Sequence, residues 1–342
     1  MAPALDTFDR PLRNLRLSVT DRCNLRCGYC MPEESYAWLP KREVLTFEEA
    51  TALVRALEPH GVEKVRLTGG EPLLRRDVTT LVAELAQLGT LRDLAMTTNA
   101  VLLEDLAAPL REAGLDRLTV SLDTLRPDRF TDLTRRDELA RSLRGIDAAT
   151  DAGFRGTKLN VVVMRGVNDD EVLDLLAFGR ERDIEVRFIE YMDVGGATRW
   201  SMDEVVPAIE LLRRIGEARG AVEPLDAARR SSAPADRFRL PDGQVFGVVA
   251  STTRPFCSTC DRARLTADGR FFTCLYAREG TPIAGVLRSD GAEAAARRIA
   301  DVWNGRTDRG AEERLRTSDR GALAGPDELR DTPHLEMHTR GG

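Results

Sequence analysis

The stretch LRLSVTDRCNLRCGYCMP (residues 15–32) begins as a short β-type run and ends in three cysteines, Cys23, Cys27 and Cys30. Five further runs rich in Val, Ile, Leu and Thr come after it: residues 62–69, 91–98, 115–122, 156–163 and 184–191. Each reads as a buried strand. Helical patterns lie between them, at TFEEATALVRALEPHG, RRDVTTLVAELAQLG, LEDLAAPLREAG, LARSLRGIDAATDAG and NDDEVLDLLAFGRERD. Thr46 and Glu49 form a capping-box pattern at the first of these, and several end in Gly, as helix C-termini often do. Six βα units in succession imply a parallel sheet with helices outside. A full eight-unit barrel takes about 250 residues. Six units within residues 15–191 therefore predict an incomplete (β/α)6 TIM-like barrel. Its chemistry is expected at the strands' C-terminal ends. The short motifs fall there: the cysteines after the first strand, GGEP (69–72) after the second, TTN (97–99), SLD (121–123) and EYMDVGG (190–196).

The pattern changes after residue 219. Residues 220–236 read as a connecting segment, and 237–330 as a smaller C-terminal α+β region. That region holds two hairpins, one turning at Pro241-Asp242-Gly243 and one at Asp268-Gly269. Residues 331–342 form a tail ending in Gly-Gly.

Composition narrows the class. Of 342 residues, 42% are apolar and 31% charged, as in an ordinary globular protein. The formal charge of −6 speaks against nucleic-acid binding by bulk charge. No run approaches the ~20 apolar residues of a membrane span. The N-terminus lacks the apolar core of a signal peptide, so a cytoplasmic location is expected. The six cysteines fall into two trios, 23/27/30 and 257/260/274. In a reducing compartment two metal sites are a better reading than disulfides.

Three thiolates are one short of a closed zinc site. A fourth ligand from elsewhere, with His60 as one option, would close it; a lone helical His is more often surface or core. A [4Fe–4S] cluster, normally held by four thiolates, would keep one iron open if held by three. C-x3-C-x2-C with Tyr29 before the last Cys, followed by GGEP, resembles the radical S-adenosylmethionine superfamily. The resemblance implies a [4Fe–4S] cluster on Cys23, Cys27 and Cys30. It also implies an S-adenosylmethionine chelated by the open iron and touched by Tyr29, Gly70, Ser121 and Met192. Glu71 would balance or orient its ammonium group.

The second trio, C-x2-C-x13-C, again stops at three. Its hairpin would return Cys274 to Cys257 and Cys260. Arg262 and Arg264 alternate on the intervening strand and so share a face. Two guanidiniums beside an open cluster suit an anion or a phosphate. With both trios, KVRLTGGEPLLRRD, KLNVVVMRGVND, RFIEYMDVG and the terminal Gly-Gly in place, nearly the whole chain resembles the GTP 3′,8-cyclase family of molybdenum cofactor biosynthesis. That resemblance implies a second [4Fe–4S] cluster on Cys257, Cys260 and Cys274 whose open iron takes the guanine base. It implies GTP contacts from Arg16, Arg66, Thr97, Lys158, Arg262 and Arg264, and catalytic parts for Arg262, Arg264, Gly341 and Gly342. It also implies a homodimer, an electron donor of flavodoxin or ferredoxin type, and delivery of product to cyclic pyranopterin monophosphate synthase. The chain departs from the family in lacking a Tyr near 310 and in carrying Thr339-Arg340 where an apolar residue is usual. Two other classes stay open on the residues alone. One is a peptide-modifying radical enzyme; the other is a non-catalytic zinc or iron–sulfur protein.

Overall fold

Alternation within the strands decides which way the barrel faces. The computed structural model describes residues 3–33, 35–225 and 232–341. Six parallel strands run in chain order: β1 (Asn14–Ser18), β2 (Lys64–Thr68), β3 (Asp93–Thr98), β4 (Arg117–Ser121), β5 (Lys158–Val163) and β6 (Glu185–Glu190). In β5, Leu159, Val161 and Val163 are buried while Lys158 and Asn160 are only partly covered. The same period of two holds in β1, β2 and β6. The buried set faces outward into the helical layer and forms the main core with the helices' apolar stripes. Those helices are α1 (Phe47–Leu57), α2 (Val78–Ala86), α3 (Leu103–Glu112), α4 (Pro127–Thr134), α5 (Leu139–Asp151) and α6 (Val172–Glu181). On α1 the stripe is Ala50, Leu53, Val54 and Leu57. The expected capping box is formed: Thr46 accepts from Glu49 N, and the Glu49 carboxylate accepts from Thr46 N. Periodicity does not reveal α4; Pro127 at its first turn is its sequence signal.

The C-terminal region does not build a sheet of its own. After α7 (Ala208–Arg219) come β7 (Glu223–Pro224), β8 (Asp236–Arg239) and β9 (Val245–Val249), then β10 (Arg262–Leu265), β11 (Arg270–Phe272) and β12 (Thr281–Pro282). All twelve strands form one sheet in the order β12-β11-β10-β1-β2-β3-β4-β5-β6-β9-β8-β7. Both expected hairpins exist, and each extends one edge of the barrel: β10 lies parallel to β1, and β9 parallel to β6. An open barrel leaves two strand edges unpaired, and these hairpins cover them. Helices α8 (Ala284–Asp290) and α9 (Ala292–Asn304) pack together, with α9 against α1, and α10 (Gly310–Leu315), α11 (Pro326–Asp331) and α12 (Met337–Arg340) lead to the end of the chain. Of the connecting segment, Glu223–Pro224 pairs with β8, and residues 226–231 lie outside the described residues.

Two buried carboxylates stitch the end of β6 to the C-terminal region. Glu190 accepts from Ala208 N, Thr252 N and Thr253 N at 2.8, 2.9 and 2.8 Å. Asp193 accepts from Arg314 Nε at 2.7 Å, from Arg320 Nε and Nη2 at 2.9 and 2.8 Å, and from the Tyr276 hydroxyl at 2.9 Å. Asp193→Ala strands the Arg320 guanidinium and unties Tyr276. It is expected to lower stability by about 3–5 kcal/mol, seen as a lower urea midpoint at unchanged slope.

Candidate functional site

The inward side chains of β1–β6 leave a cavity of about 550 Å³ instead of a packed barrel interior. Both cysteine trios line it, as do Arg16, Tyr29, Arg66, Gly70, Glu71, Thr97, Ser121, Lys158, Met192, Arg262 and Arg264. Every expected site residue outside the terminal Gly pair borders this one space.

The first trio sits on a loop clamped from both sides. Arg26 N and Gly28 N donate to Thr134 O and Leu133 O at 2.8 and 3.0 Å, while Arg26 Nη1 donates to Cys23 O at 2.8 Å. On the other side Gly70 N and Glu71 N donate to Thr20 O and Arg22 O, at 3.0 and 2.8 Å. Gly70 is required by contact: a Cβ there would lie 2.3 Å from Arg22 O. The Glu71 carboxylate accepts from Leu73 N, Thr98 Oγ1 and Asn99 N at 3.0, 2.8 and 2.8 Å. Burial pushes it up to about 7 although these donors favour its charge. Most of its acceptor capacity is therefore spent on joining β2 to β3. Tyr29 gives its hydroxyl to Asp123 at 2.6 Å, so its ring, not its oxygen, is left to face the cavity.

The second trio lies at the opposite end of the strands. Cys260 stands two residues before Arg262, whose register partner is Asn14 at the start of β1. Cys274 comes after β11, which runs back along β10 with Phe272 opposite Arg264. The hairpin thus returns Cys274 to the level of Cys260, as its spacing suggests. The first trio lies beyond the other end of β1, so the two trios bracket the strand. This departs from the expectation that all the chemistry sits at the C-terminal ends. The cavity extends through the barrel because the inward residues are polar or small. Arg10 Nη1 and Arg306 Nη1 donate to Cys257 O and Cys260 O at 2.8 and 2.9 Å, and Asp6 pairs with both arginines. Arg262 Nη2 reaches Cys260 Sγ at 3.3 Å. Burial would raise the Cys260 thiol, but Arg262 and Arg306 pull it down to about 6. Gly310 packs against this trio: a Cβ there would meet Tyr276 Cβ at 2.5 Å and Cys274 Sγ at 3.2 Å.

Between the trios lies a row of cations. Arg264, Arg16 and Arg66 are register partners on three adjacent strands, a spacing of about 4.8 Å per strand. Arg66 Nη1 donates to Thr97 and Thr119 hydroxyls at 3.2 and 2.9 Å. Burial and then neighbouring arginines weaken the charged state of Arg16, Arg66 and Arg264. Lys64, Arg117 and Arg187 also line the cavity, beyond the residues expected from sequence. Their signal is present in the alternation of Lys64 with Arg66, Arg117 with Thr119, and Glu185 with Arg187 on their strands.

Each trio offers three free thiols, the donor type an iron–sulfur cluster takes. None is in a disulfide. Burial and then Cys23 raise Cys27, while Cys260 and Cys274 also sense each other, so each trio shares a neighbourhood. Yet no three His, Cys, Asp or Glu side chains among the described residues converge closely enough for a single metal ion. His60 is buried in a 3-10 turn and does not line the cavity.

The tail enters the barrel. Ser18 Oγ donates to Thr339 O at 3.0 Å and Arg16 Nη1 to Gly341 O at 3.3 Å. Gly341 has φ +69°, and a Cβ would lie 1.9 Å from Thr68 Oγ1, so only glycine fits. Gly342 lies outside the described residues.

Comparisons with known proteins agree with this layout. Residues 17–179 match the model of the Radical SAM superfamily, and 184–312 that of Molybdenum Cofactor Synthesis C. The whole chain aligns at 49% identity with GTP 3′,8-cyclase 3 of Mycobacterium bovis, covering 91% of it. GTP 3′,8-cyclase 1 of Mycobacterium tuberculosis is 49% identical over 98% of this chain and 95% of its own. That of Acidothermus cellulolyticus is 50% identical over 93% and 90%. Streptococcus suis SuiB bound to S-adenosylmethionine superposes with a TM-score of 0.61 at 16% identity, over 90% of this chain and 68% of SuiB. That likeness is one of fold. No helix among the described residues is long and apolar enough to cross a membrane.

Gly70→Ala drives a methyl into the Arg22 carbonyl and displaces the loop of the first trio. Iron bound there after anaerobic reconstitution is expected to fall severalfold while that of the second trio is kept, as counted by iron analysis.

Proposed function

Since the chain belongs to the GTP 3′,8-cyclase family of the radical S-adenosylmethionine superfamily, we propose that it converts GTP to 3′,8-cyclo-7,8-dihydro-GTP, the first step of molybdenum cofactor biosynthesis. The observation that carries this reading is the bracketed row of arginines, with one cysteine trio at each end of a shared cavity.

Cys23, Cys27 and Cys30 would hold the iron–sulfur cluster that binds S-adenosylmethionine, and Cys257, Cys260 and Cys274 a second [4Fe–4S] cluster. When bound, the first cluster and S-adenosylmethionine supply a 5′-deoxyadenosyl radical for removal of the ribose 3′ hydrogen. The chain's own part is placement and electrostatics. Tyr29, Gly70, Ser121 and Met192 border the end of the cavity where the first trio lies, and their role is contact with S-adenosylmethionine. Gly70 does so by leaving backbone room, and Tyr29 with a ring fixed by Asp123. Glu71 acts through the strand ends it ties together. Arg16, Arg66, Thr97, Lys158, Arg262 and Arg264 hold GTP. Buried like charges repel at strand spacing, and a triphosphate is the anion that relieves them. Arg262 and Arg264 also orient the base beside the second trio, and Gly341, whose carbonyl accepts from Arg16, shares in the chemistry with Gly342. The reading extends to a homodimer, a flavodoxin- or ferredoxin-type donor, product delivery to cyclic pyranopterin monophosphate synthase, and a cytoplasmic location.

Anaerobic reconstitution is expected to give about eight irons per chain, and 5′-deoxyadenosine release from the reduced protein is expected to rise with GTP. Release indifferent to GTP would overturn the substrate. Lys158 supplies a pH signature. Burial, then Arg187 and Arg117, hold its ammonium down to about 8. A bound triphosphate favours its proton, so above that pH the complex holds more protons than the free protein. GTP affinity is therefore expected to fall as pH rises through about 8, in titration calorimetry. Lys158→Arg keeps its charge throughout and is expected to flatten that fall.

A further inference from the structure

Arg340, next to the last described residue, is 1% exposed. Its Nε donates to His334 O and its Nη1 to Leu275 O at 2.8 Å, and its Cζ lies 4.2 Å from the Phe272 ring centroid. Its Nη2 is buried with no hydrogen-bond partner among the described residues. Arg10 and Arg306 face Asp6, and Arg320 faces Asp193, whereas buried Arg264, like Arg340, has no ion pair among the described residues. Arg340 faces none among the described residues. Burial and then the like charge of Arg264 disfavour its charge, and Cys274 is the group that favours it. Leu275, whose carbonyl it holds, comes directly after Cys274.

A buried, uncompensated guanidinium is strongly unfavourable. Three thiolates outweigh the core charge of an iron–sulfur cube, so a loaded second trio is a net anion beside Arg340. We propose that Arg340 is a positioning residue that seats the C-terminal segment in the cavity, and that it does so only against the anionic cluster of the second trio. Loading of that trio and docking of the tail are then one linked equilibrium. The cluster favours a seated tail, and by reciprocity a seated tail retards cluster loss. The inference rests on reading the second trio as a cluster site.

Hydrogen exchange of the peptide 333–342 in the full-length anaerobic protein tests it. Wild-type protein loaded at both trios is expected to protect this peptide, and Cys257→Ser, loaded only at the first, to lose protection by about tenfold or more. Arg340→Met is expected to leave the tail unprotected with both trios loaded, and to lose iron from the second trio to a chelator faster than wild type. Arg340→Lys is expected to restore both in part. Eight irons with protection unchanged in Arg340→Met would overturn the latch alone. Four irons in wild type with a protected tail would overturn the latch and the two-cluster reading together.

Discussion

Like charges held side by side inside the sheet are the constraint around which this molecule is arranged. Arg264, Arg16 and Arg66 occupy facing positions on neighbouring strands, where repulsion costs stability in any empty barrel. The outward faces of the same strands carry Leu15, Leu17, Val65, Leu67 and Leu265, all in the main core. That core holds the strands in register against the repulsion. Arg66 is further steadied by two threonine hydroxyls. The result is a cavity with a row of cations held in register along its strands, the arrangement that electrostatic preorganisation requires.

The loops that carry the thiols are held by main-chain bonds and by guanidiniums, with Leu25 anchored in the main core. Main-chain bonds from Gly28, Gly70 and Glu71 hold the first loop at three points, and guanidiniums grip the carbonyls of Cys257 and Cys260. Arg10 and Arg306 can serve there because Asp6 pairs with both and Asp308 with Arg306. Arginines paired with Asp6 support the loops, and Arg16, Arg66 and Arg264 line the cavity, which Arg306 also borders.

Much of this was legible from residues in order. Six βα units, two cysteine trios and GGEP point to the barrel and to its first loop, because short-range periodicity and ligand spacing are local properties. The turn at Asp268-Gly269 gave the return of Cys274. The illegible part is long-range. Nothing in VFGVV or RARL says that these strands join opposite edges of the barrel sheet. The choice is made by which strand edges remain open. Glu71 reads as a ligand group by motif, yet its oxygens are committed to Leu73, Thr98 and Asn99, a fact visible only once β2 and β3 are adjacent. Lys64, Arg117 and Arg187 escape notice because a lone cation on a strand is ordinarily a solvated one. Their meaning comes from closure of the sheet around them.

The pairing of Asn14 with Arg262 carries a consequence for how the chain comes into being. The first strand leaves the ribosome long before the segment that will cover its outer side. At 5–20 residues per second the delay is roughly 12–50 s. Throughout that interval a nascent half-barrel presents a bare template for intermolecular addition, so the last third of the polypeptide also acts as the guard that ends its period of stickiness.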